Sequence, residues 1–240
     1  MTLSAIFAAG ATVSEGSDVV ERAMRYPYAV PAHAFVQLGH QTLSPQDVEI
    51  DARARTLLLA YGSNGSPEVL SRKLALSADP VLVEPGWLRD FDVVYSAHIS
   101  PYGAIPATLQ RSHGTAVRVA ALHLTEEQMR LVSATEPNYE PTEIDGAHCE
   151  LAGGETKAAL TVYLSRHGCL LVDGAEAALV AVPARGRRFA ELSEPQVLEH
   201  VRATVASGES IDSFVLSAVA DPTLAQAHSA QLPRRPMSLP

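Results

Sequence analysis

The middle of the chain is dominated by apolar runs and short alternating segments that predict strands. Residues Thr56 to Ala60 form a nearly continuous apolar run, which is typical of a strand buried on both faces. Further strands are predicted at residues 91–97, 105–110, 115–123, 148–151, 158–164, 169–172 and 177–182. The last two flank Asp173-Gly174, a dipeptide that favours a hairpin turn.

Two helices are predicted within this strand-rich stretch, each with a recognisable start. Pro67 suits the first position of a helix that begins directly after the loop Tyr61–Gly65. Thr125–Gln128 has the pattern of a capping box. The helix that follows it runs to about Thr135 and must stop at Pro137, because proline cannot continue the helical hydrogen bonds.

The two ends of the chain differ from the middle. A short helix is predicted at residues 18–25, and helices are predicted across 190–232, followed by a frayed tail. Many strands interrupted irregularly by a few helices predict an α+β fold with a mixed, barrel-like sheet. The predicted organisation is an N-terminal extension (1–55), a barrel domain (56–188) and a C-terminal helical extension with its tail (189–240).

Charge and apolar length exclude several classes of partner. Acidic residues outnumber basic ones by 27 to 18, so the formal net charge is −9. A negative protein repels phosphate groups, and neither nucleic acid nor an anionic membrane is therefore expected as a partner. The short arginine clusters at 185–188 and 234–235 are interpreted as solvated loops. The apolar runs fall well short of the roughly 20 residues that a membrane span needs.

Cysteine and histidine positions indicate neither a disulfide framework nor a metal site. Cys149 and Cys169 lack CxxC spacing, and the N-terminus lacks the basic segment of a signal peptide, which predicts a cytoplasmic protein with buried thiols. The 9 histidines include no HExxH pair, so no metal or cofactor is predicted. His98, Tyr95 and Tyr102 either line a pocket or serve packing.

Glu136 is the first candidate for chemistry. At about 100° per residue, it falls about 20° from Met129 on a helical projection, where the apolar stripe should place another apolar residue. A carboxylate directed towards the core at a helix end is suited to proton transfer. The alternative is a surface glutamate, or one paired with an arginine such as Arg118, and the spacing leaves both interpretations open.

The loop Tyr61–Gly65 is the second candidate. A buried strand turns there into a capped helix, and successive backbone N–H groups in such a turn can bind an anion such as a carboxylate. The side chains of Ser63 and Asn64 add further donors. The loop matches neither GxxxxGK nor GxGxxG, and a purely structural turn remains the alternative.

Together these segments resemble a known family. The run Leu57-Leu-Leu-Ala-Tyr-Gly-Ser-Asn64 is similar to the YGSN motif of the gamma-glutamylcyclotransferase-like superfamily. A strand with Gly and Ala-Thr (103–109), a strand opening with Gly (114–124), and a helix ending in Glu136 with Tyr139 shortly after follow in the same order. The resemblance covers roughly residues 57–182.

The resemblance implies a small mixed barrel that holds a gamma-glutamyl group without a metal or cofactor. In that family the YGSN loop binds a carboxylate or acyl oxygen, and an acid transfers protons while the substrate's amine closes 5-oxoproline and releases the attached amine. By this analogy Glu136 is the general acid/base. The expected substrate-binding residues are Tyr61, Gly62, Ser63, Asn64 and Tyr139.

Two departures from the family pattern bear on the substrate. Pro137-Asn138 follows Glu136 where the family commonly has glycine, and Gly65 stands where a bulky apolar residue is usual. Two functional classes therefore remain: an enzyme that acts on a small molecule with a gamma-glutamyl or similar acyl-amine group, and a non-catalytic binding module of the same fold. The leaving amine and the oligomeric state are left open.

Overall fold

The computed structural model describes residues 13–75, 77–154 and 158–237. Its helices are α1 (Val13–Met24), α2 (Pro67–Lys73), α3 (Glu126–Ser133), α4 (Glu194–Val205), α5 (Ile211–Ala220) and α6 (Pro222–Gln231). Its strands are β1 (Phe35–Leu38), β2 (Gln41–Leu43), β3 (Thr56–Ala60), β4 (Val81–Tyr95), β5 (Ala107–Leu124), β6 (Tyr139–Asp145), β7 (Cys149–Leu151), β8 (Ala159–Ser165), β9 (Cys169–Val172), β10 (Ala175–Leu179), β11 (Ala184–Arg185), β12 (Ala190–Leu192) and β13 (Arg234–Arg235).

All of the described strands belong to one mixed sheet. Its main path runs β13-β9-β10-β4-β5-β3-β8-β6, while β1 and β7 also pair with β4, and β11 pairs with β5. The pairs β3–β8 and β10–β12 are parallel and the others are antiparallel. The two long strands β4 and β5 each pair with several other strands, and the sheet curls into a half-barrel. The predicted α+β class with a mixed, barrel-like sheet is confirmed.

Strand β3 shows why the apolar run was informative. Leu57 and Leu59 enter a large hydrophobic cluster on one face of the sheet, whereas Leu58 and Ala60 enter a second cluster on the other face. The three leucines are at most 4% exposed. A strand that is buried on both faces carries apolar residues at consecutive positions. The continuous apolar run therefore predicted the position of β3 correctly.

Several predicted strands are parts of longer ones. Residues 91–95 of the predicted segment 91–97 are the end of β4, and residues 107–110 and 115–123 of the next two segments lie in one continuous strand, β5. β4 and β5 pair along their length across a register shift between Arg89 and Phe91, opposite the interval between the two predicted segments of β5. The hairpin at Asp173-Gly174 has the positive φ angles, 53° and 85°, of the turn predicted there.

The C-terminal segment is more regular at residues 234–235 than the sequence indicated, and residues 238–240 of the predicted frayed tail lie outside the described residues. The final segment does not fray at residues 234–235, since Arg234 and Arg235 pair with β9 as strand β13. Residues of all three predicted ranges, such as Ala23, Leu57 and Phe214, enter the same hydrophobic cluster. The domain boundaries themselves remain predictions. None of the helices that the structure describes combines the length and apolar character that crossing a membrane requires.

The arginine cluster at 185–188 is not entirely solvated, contrary to the prediction. Arg187 is only 8% exposed, and its Nε lies 3.0 Å from Oδ2 of Asp92, which is fully buried. Nη2 of Arg187 also donates to Asp92 Oδ1 at 3.0 Å. Burial raises the pKa of Asp92, and the adjacent guanidinium opposes that effect. The pair joins β4 to the segment after β11.

We expect Asp92→Asn to lower the free energy of unfolding by about 1–3 kcal/mol, because it removes the buried counter-charge of Arg187 and leaves the guanidinium paired with the half-exposed carboxylate of Glu191, 2.7 Å from Nη1. Urea denaturation followed by the fluorescence of Trp87 measures this. Asp90→Asn is the matched control, since Asp90 is 29% exposed and its amide replacement can still accept from the Gly114 N–H. An equal loss of stability in both variants would contradict the assignment.

Candidate functional site

A cavity of about 540 Å³ lies where the loop after β3 meets the turn after α3. It is the larger of the two best-defined cavities in the described part of the chain. All of the residues that the sequence singled out as site residues line it, namely Tyr61, Gly62, Ser63, Asn64, Glu136 and Tyr139. The structure therefore brings the loop and the acid to one concave surface, although their roles there stay predictions.

Glu136 reaches the cavity in a different way from the one expected. Helix α3 ends at Ser133, so Glu136 is not part of its apolar stripe. It lies in a turn in which its N–H donates to Ser133 O and its carbonyl accepts from the Tyr139 N–H, both at 3.1 Å. Because Tyr139 begins β6, the pairing of β6 with β8 fixes the turn, and the turn directs the carboxyl group.

One oxygen of the Glu136 carboxylate is held by two donors. Asn64 Nδ2 donates to Oε1 at 2.9 Å, and Lys73 Nζ lies 2.5 Å from the same oxygen. The side chain of Glu136 is 13% exposed and that of Lys73 is 16% exposed. Oε2 has no hydrogen-bond partner among the described residues. The expected alternative, a pair with Arg118, is not formed, since Arg118 instead donates to Ala32 O and lies over Trp87.

The loop offers unpaired donors beside this carboxylate. In the described ranges, the backbone N–H groups of Gly62, Ser63 and Asn64 have no hydrogen-bond partner. Asn64 Oδ1 is a buried acceptor that also lacks a partner there. The wall therefore combines a patch of donors suited to an anion with one free acceptor, Oε2 of Glu136, suited to an ammonium group.

The tyrosines of the cavity are held by the backbone. Tyr61 donates its hydroxyl to Tyr163 O, and Tyr139 donates to Ala107 O at 2.9 Å. Burial raises the pKa of Tyr61 and of Tyr139, so both phenols stay protonated at neutral pH. Since their hydroxyl hydrogens are already donated to carbonyls, these two residues shape the cavity wall.

The sequence reasoning missed the cavity's cations and half of its aromatic wall. Lys73 closes the last turn of α2, nine residues after Asn64, and a basic residue at that helix end was the available signal. Tyr26 and Tyr28 follow α1 and lie within 6.3 Å of the Tyr102 ring, centroid to centroid. Their signal was only the unexplained run Tyr26-Pro-Tyr, in a segment without clear periodicity.

The remaining candidates divide between the cavity and the core. His98 and Tyr102 line the cavity, whereas Tyr95 is buried in the core and donates to Leu192 O at 3.0 Å. Burial raises the pKa of Cys149 and of Cys169 to about 12, which keeps both as unreactive thiols. Within the described ranges, no three histidine, cysteine or acidic side chains converge in a metal-binding cluster.

Solved structures with a similar backbone include one described as a gamma-glutamyl cyclotransferase, with a TM-score of 0.39 and 13% identity over 77% of this chain and 92% of that one. The uncharacterized protein loc79017 from Homo sapiens gives a TM-score of 0.37 and 14% identity over 78% and 93% of the two chains. At5g39720.1 from Arabidopsis thaliana gives 0.36 and 18% over 47% and 70%.

No protein-family model and no curated protein sequence matches the chain. The likenesses to solved structures concern the fold alone, and what the cavity can do follows from its own residues.

We expect Gly62→Ala to destabilise the cavity wall. A Cβ at this position would lie 2.7 Å from the Tyr26 hydroxyl oxygen, which accepts the Ala107 N–H at 2.8 Å. Displacing the phenol leaves that buried N–H without its acceptor, at a cost of about 1–3 kcal/mol. Thermal unfolding measures the loss. Gly208→Ala is the control, because its Cβ meets nothing within 4 Å, and a similar loss there would refute the explanation.

Proposed function

We propose that this protein releases 5-oxoproline from a gamma-glutamyl amide or amine by intramolecular aminolysis, with Glu136 as the general acid/base. The observation that carries the proposal is the position of the Glu136 carboxyl group. It lines the same cavity as the unpaired loop amides, with one oxygen anchored by Asn64 and Lys73 and the other without a partner in the described structure.

The two kinds of polar group on the wall match the two ends of an amino acid. The loop N–H groups of Gly62 to Asn64 and the Lys73 ammonium are donors for a carboxylate or an acyl oxygen. Oε2 of Glu136 is the acceptor for an α-ammonium group. A gamma-glutamyl group carries a free α-carboxylate, a free α-ammonium and an acyl carbon, so it uses every one of these groups.

The reaction needs one proton acceptor that later becomes a donor. Glu136 takes a proton from the α-ammonium, and the freed amine attacks the γ-carbonyl carbon of the same molecule, which forms the ring C–N bond. Glu136 then gives that proton to the leaving nitrogen as the original C–N bond breaks, and the ring nitrogen's second proton follows by the same route. The products are 5-oxoproline, whose ring nitrogen keeps one hydrogen, and the amine, which leaves as an ammonium. Because the attack is intramolecular, positioning and a single proton-transferring group suffice.

Lys73 supports this role electrostatically. Its ammonium lies 2.5 Å from Oε1, so it neutralises the carboxylate's charge in a half-enclosed cavity and keeps Oε1 from rotating. Asn64 adds a second, neutral donor to the same oxygen. With Oε1 fixed, Oε2 is the atom left to exchange a proton with the substrate.

One observation favours the second candidate, a binding module without turnover. Glu136 already has a partner ammonium in Lys73, so the acid can serve as half of an ion pair that only shapes the site. Such a module would bind the same amino-acid-like ligand through the loop amides. Removal of the acid distinguishes the two candidates.

We expect Glu136→Gln to lower 5-oxoproline release from a responsive gamma-glutamyl substrate by about 10²–10⁴-fold, since the amide cannot shuttle a proton. Release is measured by chromatography across a panel of gamma-glutamyl amides and amines. Folding should persist, because the glutamine oxygen can still accept from Asn64.

Glu140→Gln is the matched control, since Glu140 is an exposed residue on β6 paired only with Arg166 at 3.5 Å. It should retain full activity. Turnover by the Glu136→Gln variant at the wild-type rate would remove the shuttle role and leave the binding module.

We expect Lys73→Met to weaken the binding of 5-oxoproline by about 10–100-fold, the equivalent of about 1.5–3 kcal/mol for a lost hydrogen bond to a charged group. Lys73→Arg should retain most of the affinity, because it preserves the charge. Calorimetric titration of both variants measures the difference. Equal affinity in Lys73→Met and the wild type would show that Lys73 contacts only Glu136.

A further inference from the structure

A second cavity, of about 330 Å³, adjoins the first between the sheet and the C-terminal helices. His98, Ser100, Pro101 and Asn138 line both cavities. The far wall of the second cavity is formed by side chains of α5 and α6, such as Val219. A ligand that extends beyond the Glu136 cavity past His98 therefore enters a space built by the C-terminal helices.

A row of hydroxyl groups fixes which nitrogen of His98 carries its proton. The His167 N–H donates to Ser165 Oγ at 3.1 Å, Ser165 Oγ lies 2.6 Å from Ser96 Oγ, and Ser96 Oγ lies 2.8 Å from His98 Nδ1. Ser96 and Ser165 are both 2% exposed or less. Each buried hydroxyl must donate its hydrogen to avoid an unpaired polar group.

The only arrangement that uses both hydrogens among these described partners runs from Ser165 to Ser96 and from Ser96 to His98 Nδ1. In the opposite direction the Ser165 hydrogen has no acceptor among the described residues. Nδ1 is therefore the acceptor nitrogen, and the proton of the neutral ring lies on Nε2. Nε2 has no partner in the described part of the chain.

The ring is held neutral and rigid. Burial lowers the pKa of His98 to about 3, and the nearby His167 and Arg234 add to that effect. His98 stacks on His167 with ring centroids 4.4 Å apart and meets the edge of Tyr139 at 5.7 Å. His98 thus presents a fixed, uncharged N–H donor at the junction of the two cavities.

We propose that the second cavity is the subsite for the leaving group, and that His98 Nε2–H donates to a carbonyl or carboxylate oxygen of that group. This inference rests on the proposed function, because it places the gamma-glutamyl part of the ligand against Glu136. The leaving group must carry an oxygen acceptor, because an N–H donor forms no hydrogen bond with an alkyl group. His98 is a binding residue for the released half of the substrate.

The first test is independent of turnover. In the full-length Glu136→Gln variant labelled with ¹⁵N-histidine, we expect the NMR spectrum of His98 to show the Nε2–H tautomer at neutral pH. γ-Glutamylphenylalanine, whose leaving group carries a carboxylate, should shift the Nε2–H resonance, whereas γ-glutamylmethylamide should not. The Nδ1–H tautomer, no shift, or the same shift with both compounds overturns the inference.

The second test blocks the subsite. Val219→Trp places a large ring in the second cavity, whereas Ala220→Trp places the same ring at the neighbouring, exposed position. We expect the first variant to lower the ratio of kcat/KM for γ-glutamylphenylalanine to that for γ-glutamylmethylamide at least tenfold, and the second to preserve the ratio. An unchanged ratio in Val219→Trp overturns the inference.

Failure of the proposed function has a different signature. In that case the wild-type protein releases 5-oxoproline from neither compound, while the NMR result still decides whether His98 contacts the distal half of a bound γ-glutamyl ligand.

Discussion

The hydrogen bond from Asn64 Nδ2 to Glu136 Oε1 joins two segments that lie 72 residues apart in the chain, and the site depends on it. The bond forms only if the loop that follows β3 lies next to the turn that precedes β6. The parallel pair β3–β8 and the antiparallel pair β8–β6 set that relation. A shift of register in either pair would move the acid away from the loop, so the sheet determines the chemistry that the cavity can support.

Some polar atoms of the cavity already form hydrogen bonds within the protein, and others are unpaired among the described residues. Hydroxyl hydrogens of Tyr61 and Tyr139 are committed to backbone carbonyls, and Oε1 of Glu136 is committed to Asn64 and Lys73. What remains unpaired among the described residues is a small set of donors and acceptors on the loop and one carboxylate oxygen. Because most polar atoms of the cavity are already hydrogen-bonded, the unpaired ones are held in fixed orientations. Pre-organised binding requires this arrangement.

Segments outside the strand-rich middle of the chain form part of the walls of both cavities. Tyr26 and Tyr28, beyond α1, form part of the wall of the Glu136 cavity, and helices α5 and α6 form the wall of the adjoining one. Their packing against the sheet contributes to the same hydrophobic cluster as β3 and β5. In the proposed function, substrate selection depends on these segments, which lie outside the sequence motif, while the proposed proton-transfer residue Glu136 lies within the motif-bearing part.

The sequence alone determined the elements whose signals are local: the apolar run of β3, the capping box of α3, the turn at Asp173-Gly174 and the loop motif at residues 61–64. Tertiary structure decided the rest. Lys73 meets Glu136 only because α2 folds back towards the turn after α3, and a lysine at a helix end has the same local pattern whether it is solvated or paired. Which ring nitrogen of His98 carries the proton depends on Ser165, 67 residues away in sequence. No local sequence pattern indicates such a contact.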